Sequence, residues 1–155
     1  MLGYLAVLLL TYIFLPLGVR VFAEADGRTL LQLGQEQYFW AGLFLVLLIN
    51  GLIQMLGNMI LYLPRPLQLF PKRDFWMSQT HLRKKLKRNF KHWLKGLALI
   101  INLFLSALLA HLYTLNDSDV SLDLNPAFYL VGVLFVGWLV FFFVWFSDTE
   151  ENLAV

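Results

Sequence analysis

The chain has 155 residues, a formal net charge of +2 and 59% hydrophobic residues, and only 14% of its residues are charged. A mean hydropathy of +0.67 is too apolar for an ordinary soluble domain, so the composition predicts a protein that lies in a lipid bilayer. The chain contains no cysteine, which excludes a disulfide framework, a thiolate metal site and a cysteine nucleophile.

The first of four apolar stretches runs from Leu2 to Val19 and ends at Arg20. Its length approaches the roughly 20 residues that a helix needs to cross the hydrocarbon core, so the sequence predicts a first transmembrane span there. A signal peptide cleaved before Glu24 is the alternative. It is disfavoured because the stretch lacks a charged leading segment and because Arg20 interrupts the approach to the cleavage site.

The second apolar stretch, from Tyr38 to Leu63, is long enough to cross with some tilt and is stopped by Pro64 and Pro66. Three amide side chains recur in it every four residues and therefore share one helix face: Asn50, Gln54 and Asn58. Because an amide is costly in contact with lipid, this amide stripe is expected to face another helix or a wet cavity.

The segment from 64 to 95 holds ten of the twelve Lys and Arg residues and is predicted to be cytoplasmic by the positive-inside rule. Apolar residues recur in its second half at spacings of three or four, and basic residues occupy much of the remaining circumference: Arg83, Lys84, Lys87, Arg88, Lys91 and Lys95. The pattern predicts a basic amphipathic helix that leads directly into the third span. This helix either contacts anionic lipid headgroups or projects into the cytoplasm and packs on a partner. No nucleic-acid motif accompanies the charge, so nucleic acid is not an expected partner.

The third apolar stretch, from Gly96 to Tyr113, carries Asn102 and Ser106 on a face of small residues. This face is the natural partner of the amide stripe. Hydrogen bonding between the two helices is the favoured role of these polar residues, and a substrate or ion path is the alternative.

The fourth stretch, from Ala127 to Phe146, follows Asn125 and Pro126, which are residue types favoured at a helix start. The sequence thus predicts one all-α membrane domain over residues 1–155, a four-helix bundle with both termini in the cytoplasm. Its spans are predicted at about 2–19, 38–63, 96–113 and 127–146, and its basic helix leads into the third span.

The sequence predicts no catalytic or metal site and no cofactor. The histidines, at positions 81, 92 and 111, lack the spacing of three or four residues that brings two ligands together on a helix. The acidic residues of the third loop, Asp117, Asp119 and Asp123, lack the glycine and the terminal glutamate of a calcium loop. The protein is therefore predicted not to be an enzyme.

Two short blocks resemble a family of bacterial multi-pass membrane proteins of unknown function, related to the SdpI-like immunity and signalling proteins. The block "LPLGVRVFAEADGR" supplies Leu15, Pro16, Val19 and Gly27 of that pattern, with Phe22 where the family has a histidine. The block "LPRPLQLFPKRDFW" supplies Leu63, Pro64, Pro71, Arg73, Asp74 and Trp76. The resemblance implies a four-span protein of the bacterial inner membrane and no established enzyme chemistry.

The leading functional hypothesis is a small accessory or stabilising subunit of a larger bacterial membrane complex, because no Asp, Glu, Lys or Arg lies within the core of a predicted span and no catalytic set is present. The alternative is an SdpI-like immunity or signalling protein that engages a regulator or anionic lipid through the basic segment. A small transporter is disfavoured because the chain lacks midplane charges and an internal repeat. The expected partners are anionic lipid headgroups at the cytoplasmic face and other membrane subunits.

Overall fold

The computed structural model describes residues 1–23, 29–64, 66, 68–116 and 124–147. Within these residues, five helices and one hairpin follow one another: α1 (Leu2–Phe14), β1 (Gly18–Ala23), β2 (Thr29–Gly34), α2 (Gln35–Met59), α3 (Arg73–Ser78), α4 (Thr80–Asn116) and α5 (Asn125–Ser147). The helices α2, α4 and α5 are long and apolar enough to cross a membrane. The prediction of a mainly helical, multi-pass membrane protein is confirmed.

The first apolar stretch forms a shorter helix than the sequence predicted. The helix α1 has 13 residues and ends at Phe14, so at 1.5 Å per residue it is about 20 Å long. The prediction of a helix as far as Val19 is wrong because Pro16 disfavours helical backbone at the residue before it. Leu15 is accordingly extended, with φ −76° and ψ 147°, and the chain then enters β1.

The residues that were predicted to form the first loop form an antiparallel hairpin, which corrects the all-α prediction for this segment. Val19 pairs with Leu33 and is fully buried, whereas the next residue, Arg20, is exposed, as expected for alternating strand faces. The Arg20 backbone N–H donates to Oδ1 of Asn116 at 2.7 Å, and Nδ2 of Asn116 donates to the Arg20 carbonyl at 2.9 Å. The hairpin is therefore fastened to the end of α4.

The helix α4 is the central element of the fold. It has 37 residues and is about 55 Å long, so it extends well beyond the roughly 30 Å of hydrocarbon. It packs against α1, α2, α3 and α5. The helices α2 and α4 run antiparallel, and α5 returns toward the start of α4. We call the end of the molecule where α2 ends, α4 begins and α5 ends the basic end.

Tryptophan side chains fasten α5 to its neighbours. Nε1 of Trp93 donates to the Trp138 carbonyl at 3.2 Å, and Nε1 of Trp138 donates to the Trp93 carbonyl at 3.1 Å. Gly96 makes this approach possible, since a Cβ at that position would lie 2.1 Å from the Trp138 ring. At the basic end, Nε1 of Trp76 in α3 donates to the Phe146 carbonyl at 3.1 Å.

Candidate functional site

The amide stripe of α2 meets the polar face of α4 at one pair of residues. Nδ2 of Asn50 donates to Oδ1 of Asn102 at 3.1 Å, and Nδ2 of Asn102 donates to Oδ1 of Asn50 at 3.0 Å. Asn102 is buried, and Oγ of Ser106 donates to its backbone carbonyl at 2.8 Å within α4. The reciprocal pair links α2 to α4, and both side-chain amides have their hydrogen-bond partners within the protein.

Gln54 and Asn58 lie outside this contact. Both side chains are exposed, and neither makes a hydrogen bond to another described residue. They line a groove of about 500 Å³ between α2 and α4, whose walls are formed by Met1, Asn50, Ile53, Gln54, Gly57, Asn58, Lys91, Leu94, Lys95 and Ala98. The amide stripe therefore has one end in a packed interface and the other in an open polar groove.

The groove forms where α1 leaves the contact between α2 and α4 uncovered. The Tyr4 hydroxyl donates to the Gly42 carbonyl at 3.0 Å, so α1 lies against the first half of α2, and only Met1 reaches the groove. At the floor of the groove, α2 and α4 approach each other closely because Gly57 has no side chain. A Cβ there would lie 3.2 Å from side-chain atoms of both Leu94 and Lys91.

The six basic residues that were predicted to contact lipid or a partner divide into different environments. Four of the five exposed residues recur at spacings of four, three and four residues, which places them on one stripe of α4: Lys84, Arg88, Lys91 and Lys95. Lys91 and Lys95 belong to the groove, whereas Lys84 and Arg88 lie nearer the start of α4. Lys87 is half-buried. Arg83 donates from Nε and Nη2 to the Met77 carbonyl, at 3.0 and 2.8 Å, and so fastens α3 to α4.

The apolar face of the basic part of α4 is covered by the protein itself. Leu82, Leu86 and Trp93 are buried. Leu86 and Trp93 share a core cluster with Trp76 of α3 and Phe146 of α5. Only the basic face of this part of the helix is left for contacts outside the molecule.

The two blocks that carry the family resemblance organise turns between helices. Leu15, Val19 and Trp76 are buried core residues. Nε of Arg73 donates to Oε1 of Gln68 at 2.7 Å, and Nε2 of Gln68 donates to the Leu63 carbonyl at 2.8 Å, which braces the connection between α2 and α3. Asp74 is exposed and its carboxylate pairs with Nη1 of Arg73 at 3.2 Å. The three prolines that match the family pattern, Pro16, Pro64 and Pro71, lie outside the helices. Gly27 lies outside the described residues.

The described residues contain no group of three or more His, Asp or Glu side chains placed to hold a metal ion. The acidic triplet of the third loop lies outside the part of the chain that the structure describes. No family model, curated protein or solved structure matches this chain.

Proposed function

We propose that this protein is a non-catalytic subunit of a larger membrane complex in the bacterial inner membrane, and that it holds an acidic surface of a partner membrane protein. The docking surface is the exposed basic face near the start of α4, with Lys84 and Arg88 at its centre. The observation that carries the proposal is the covered apolar face of this part of the helix.

A helix that lies on lipid headgroups buries its apolar face in the membrane interface. In this chain the corresponding side chains, including Leu86, already pack against α3 and α5. The basic face remains exposed, and it is held in place because the opposite, apolar face of the helix packs against the rest of the protein. Such a preorganised positive surface is complementary to a fixed acidic surface, where charge pairing sets orientation and speeds association.

The proposed orientation places the basic end in the cytoplasm, since it carries most of the Lys and Arg residues. The bundle then consists of four apolar helices, of which α1 crosses only part of the bilayer, and Met1 and Ser147 both lie toward the cytoplasm. The basic part of α4 projects from the bilayer as a continuation of its membrane-spanning part. This position lets it reach the cytoplasmic surface of a neighbouring membrane protein.

Site-specific photo-crosslinking in native membranes tests the proposal. A photoreactive amino acid in place of Lys84 is expected to capture a membrane protein through a segment rich in Asp and Glu. The double variant Lys84→Glu/Arg88→Glu is expected to reduce co-purification of that protein at least about tenfold, because each reversal replaces attraction by repulsion. The matched control is Arg20→Glu, an exposed charge reversal at the opposite end, which is expected to leave co-purification unchanged.

An isolated 18 kDa species with no co-purifying chain would contradict the subunit role. Capture of a soluble regulator at the same position would instead support the SdpI-like signalling function, which uses the same surface.

A further inference from the structure

The groove between α2 and α4 has the composition of an anion site. Two lysines, Lys91 and Lys95, and two amides, Gln54 and Asn58, line it together with apolar residues, and no carboxylate is among the lining residues. Asn50 is also in the wall, but its amide is already paired with Asn102. The free polar groups of the groove thus supply two ammonium groups and two amide NH2 groups, all of which are hydrogen-bond donors.

The groove lies at membrane depth. Lys95 is followed by Gly96, which packs against Trp138 of α5. Trp138 stands nine residues before Ser147, the last residue of α5, so it lies about 13 Å from that end of the helix. The two lysines are therefore placed alongside a membrane-spanning helix, with their ammonium groups able to reach toward the headgroups at the basic end.

Charged side chains at such a depth are costly unless an opposite charge or water accompanies them. Neither Lys91 nor Lys95 has a hydrogen-bond or ion-pair partner among the described residues. Exposed apolar side chains lie beside the polar ones, at Met1 in the wall of the groove and at Leu47, which is two turns before Gln54 on the same face of α2. A ligand that fits both features has an anionic head and apolar chains.

We infer that this groove binds the phosphate of an anionic phospholipid. The phosphate oxygens accept from the ammonium groups of Lys91 and Lys95 and from the amides of Gln54 and Asn58, and the acyl chains lie on the apolar surface of α2. A headgroup without its own cation is preferred because the groove has two positive charges and no carboxylate to pair with a choline or ethanolamine. This site is separate from the docking surface proposed above, which is centred on Lys84 and Arg88.

Native mass spectrometry of the full chain tests this inference. The protein is purified in a neutral detergent and offered equal amounts of phosphatidylglycerol and phosphatidylcholine with identical acyl chains, so that the two lipids differ only in the headgroup. We expect at least about fivefold preferential retention of one phosphatidylglycerol, and a loss of that preference in Lys91→Gln/Lys95→Gln. The matched control is Lys84→Gln/Arg88→Gln, which removes the same charge from the same helix outside the groove and is expected to keep the preference.

The amide donors provide an independent variant that changes no charge. Gln54→Leu/Asn58→Leu is expected to reduce retention of phosphatidylglycerol about two- to fourfold, since two of the four donors to the phosphate are removed. Thermal unfolding of each variant confirms that it remains folded. This amide variant decides the question if the lysine variant does not fold.

Two outcomes would overturn the inference. Equal retention of both lipids by the unmodified chain, or equal loss in the groove variant and its control, would show that no anion site exists in the groove. Displacement of the lipid by millimolar inorganic phosphate, at an ionic strength where sodium chloride displaces none, would show that the groove recognises soluble phosphate and not a lipid.

Discussion

At the residue scale, the amide stripe separates packing from ligand recognition. Asn50 and Asn102 exchange two hydrogen bonds, and each Nδ2 also donates to a carbonyl of its own helix, at Val46 and Ala98. A polar pair of this kind is satisfied inside the protein and tolerates exclusion of water. Gln54, one turn along the same face, has no such partner in the described residues.

Replacing either asparagine of this pair is expected to destabilise the fold. Asn50→Leu or Asn102→Leu leaves the other amide without its partner, and we expect each to cost about 1 kcal/mol of unfolding free energy, measured by thermal or denaturant unfolding in detergent. In the double variant the costs are expected not to add, because both members of the same interaction are removed. Gln54→Leu is the matched control and is expected to leave the unfolding free energy unchanged. Additive costs would show that the two amides do not interact.

At the scale of elements, α5 is attached to α4 by a contact that only glycine permits. The Trp138 ring lies directly over Gly96, and its indole N–H reaches the Trp93 carbonyl at 3.1 Å. Since lipid is as apolar as the helix surface, close packing and hydrogen bonds of this kind hold membrane helices together.

Gly96→Ala is therefore expected to push α5 away from α4. The added methyl group would overlap the Trp138 ring, and overpacking of this kind costs about 1–3 kcal/mol of unfolding free energy. Thermal unfolding in detergent, followed by tryptophan fluorescence, measures the effect as a lower melting temperature. Gly132→Ala in α5 is the control, because nothing lies within 4 Å of its Cβ position, and it is expected to be neutral or slightly stabilising. Equal melting temperatures for both variants would contradict the packing described here.

The sequence predicts the existence of some elements better than that of others. Long apolar runs identify α2, α4 and α5 because a membrane demands helical length. The end of α1 and the hairpin were not predicted because the sequence stays apolar from the helix into the first strand. Local signals existed: Pro16 ends the helix, and Val19, Val21 and Phe22 followed by a five-residue segment containing Gly27 favour a hairpin.

The candidate groove depends on how far α2 and α4 are offset along their axes, which a single sequence does not provide. The faces were predictable, since the stripe of α2 and the small-residue face of α4 follow helical periodicity. Once Asn50 is placed opposite Asn102 in an antiparallel pair, Gln54 falls near Ala98, and Asn58 near Lys95. The groove opens beside Met1, at the start of α1, whereas the part of α1 that was predicted incorrectly is its other end, near the hairpin.

At the scale of the whole molecule, the membrane-spanning helices alternate in direction, and this fixes which segments share a side. The hairpin precedes α2 and lies at the end of α4, where Asn116 binds Arg20. The helix α3 lies at the other end, where Trp76 binds the last turn of α5. The two ends therefore differ in charge as well as position, because the basic residues cluster at the α3 end.

This arrangement predicts that the hairpin faces the outside and that α3 and Ser147 face the cytoplasm. The chain has no cysteine, so Leu30→Cys, Ser78→Cys and Ser147→Cys each introduce a single reactive thiol. Leu30 and Ser78 are exposed. We expect a membrane-impermeant maleimide to label Leu30→Cys in intact cells, and to label the two serine variants only after the membrane is opened. Labelling of Ser78→Cys in intact cells would reverse the orientation and remove the basic face of α4 from the cytoplasm, and with it the proposed docking of a cytoplasmic acidic surface.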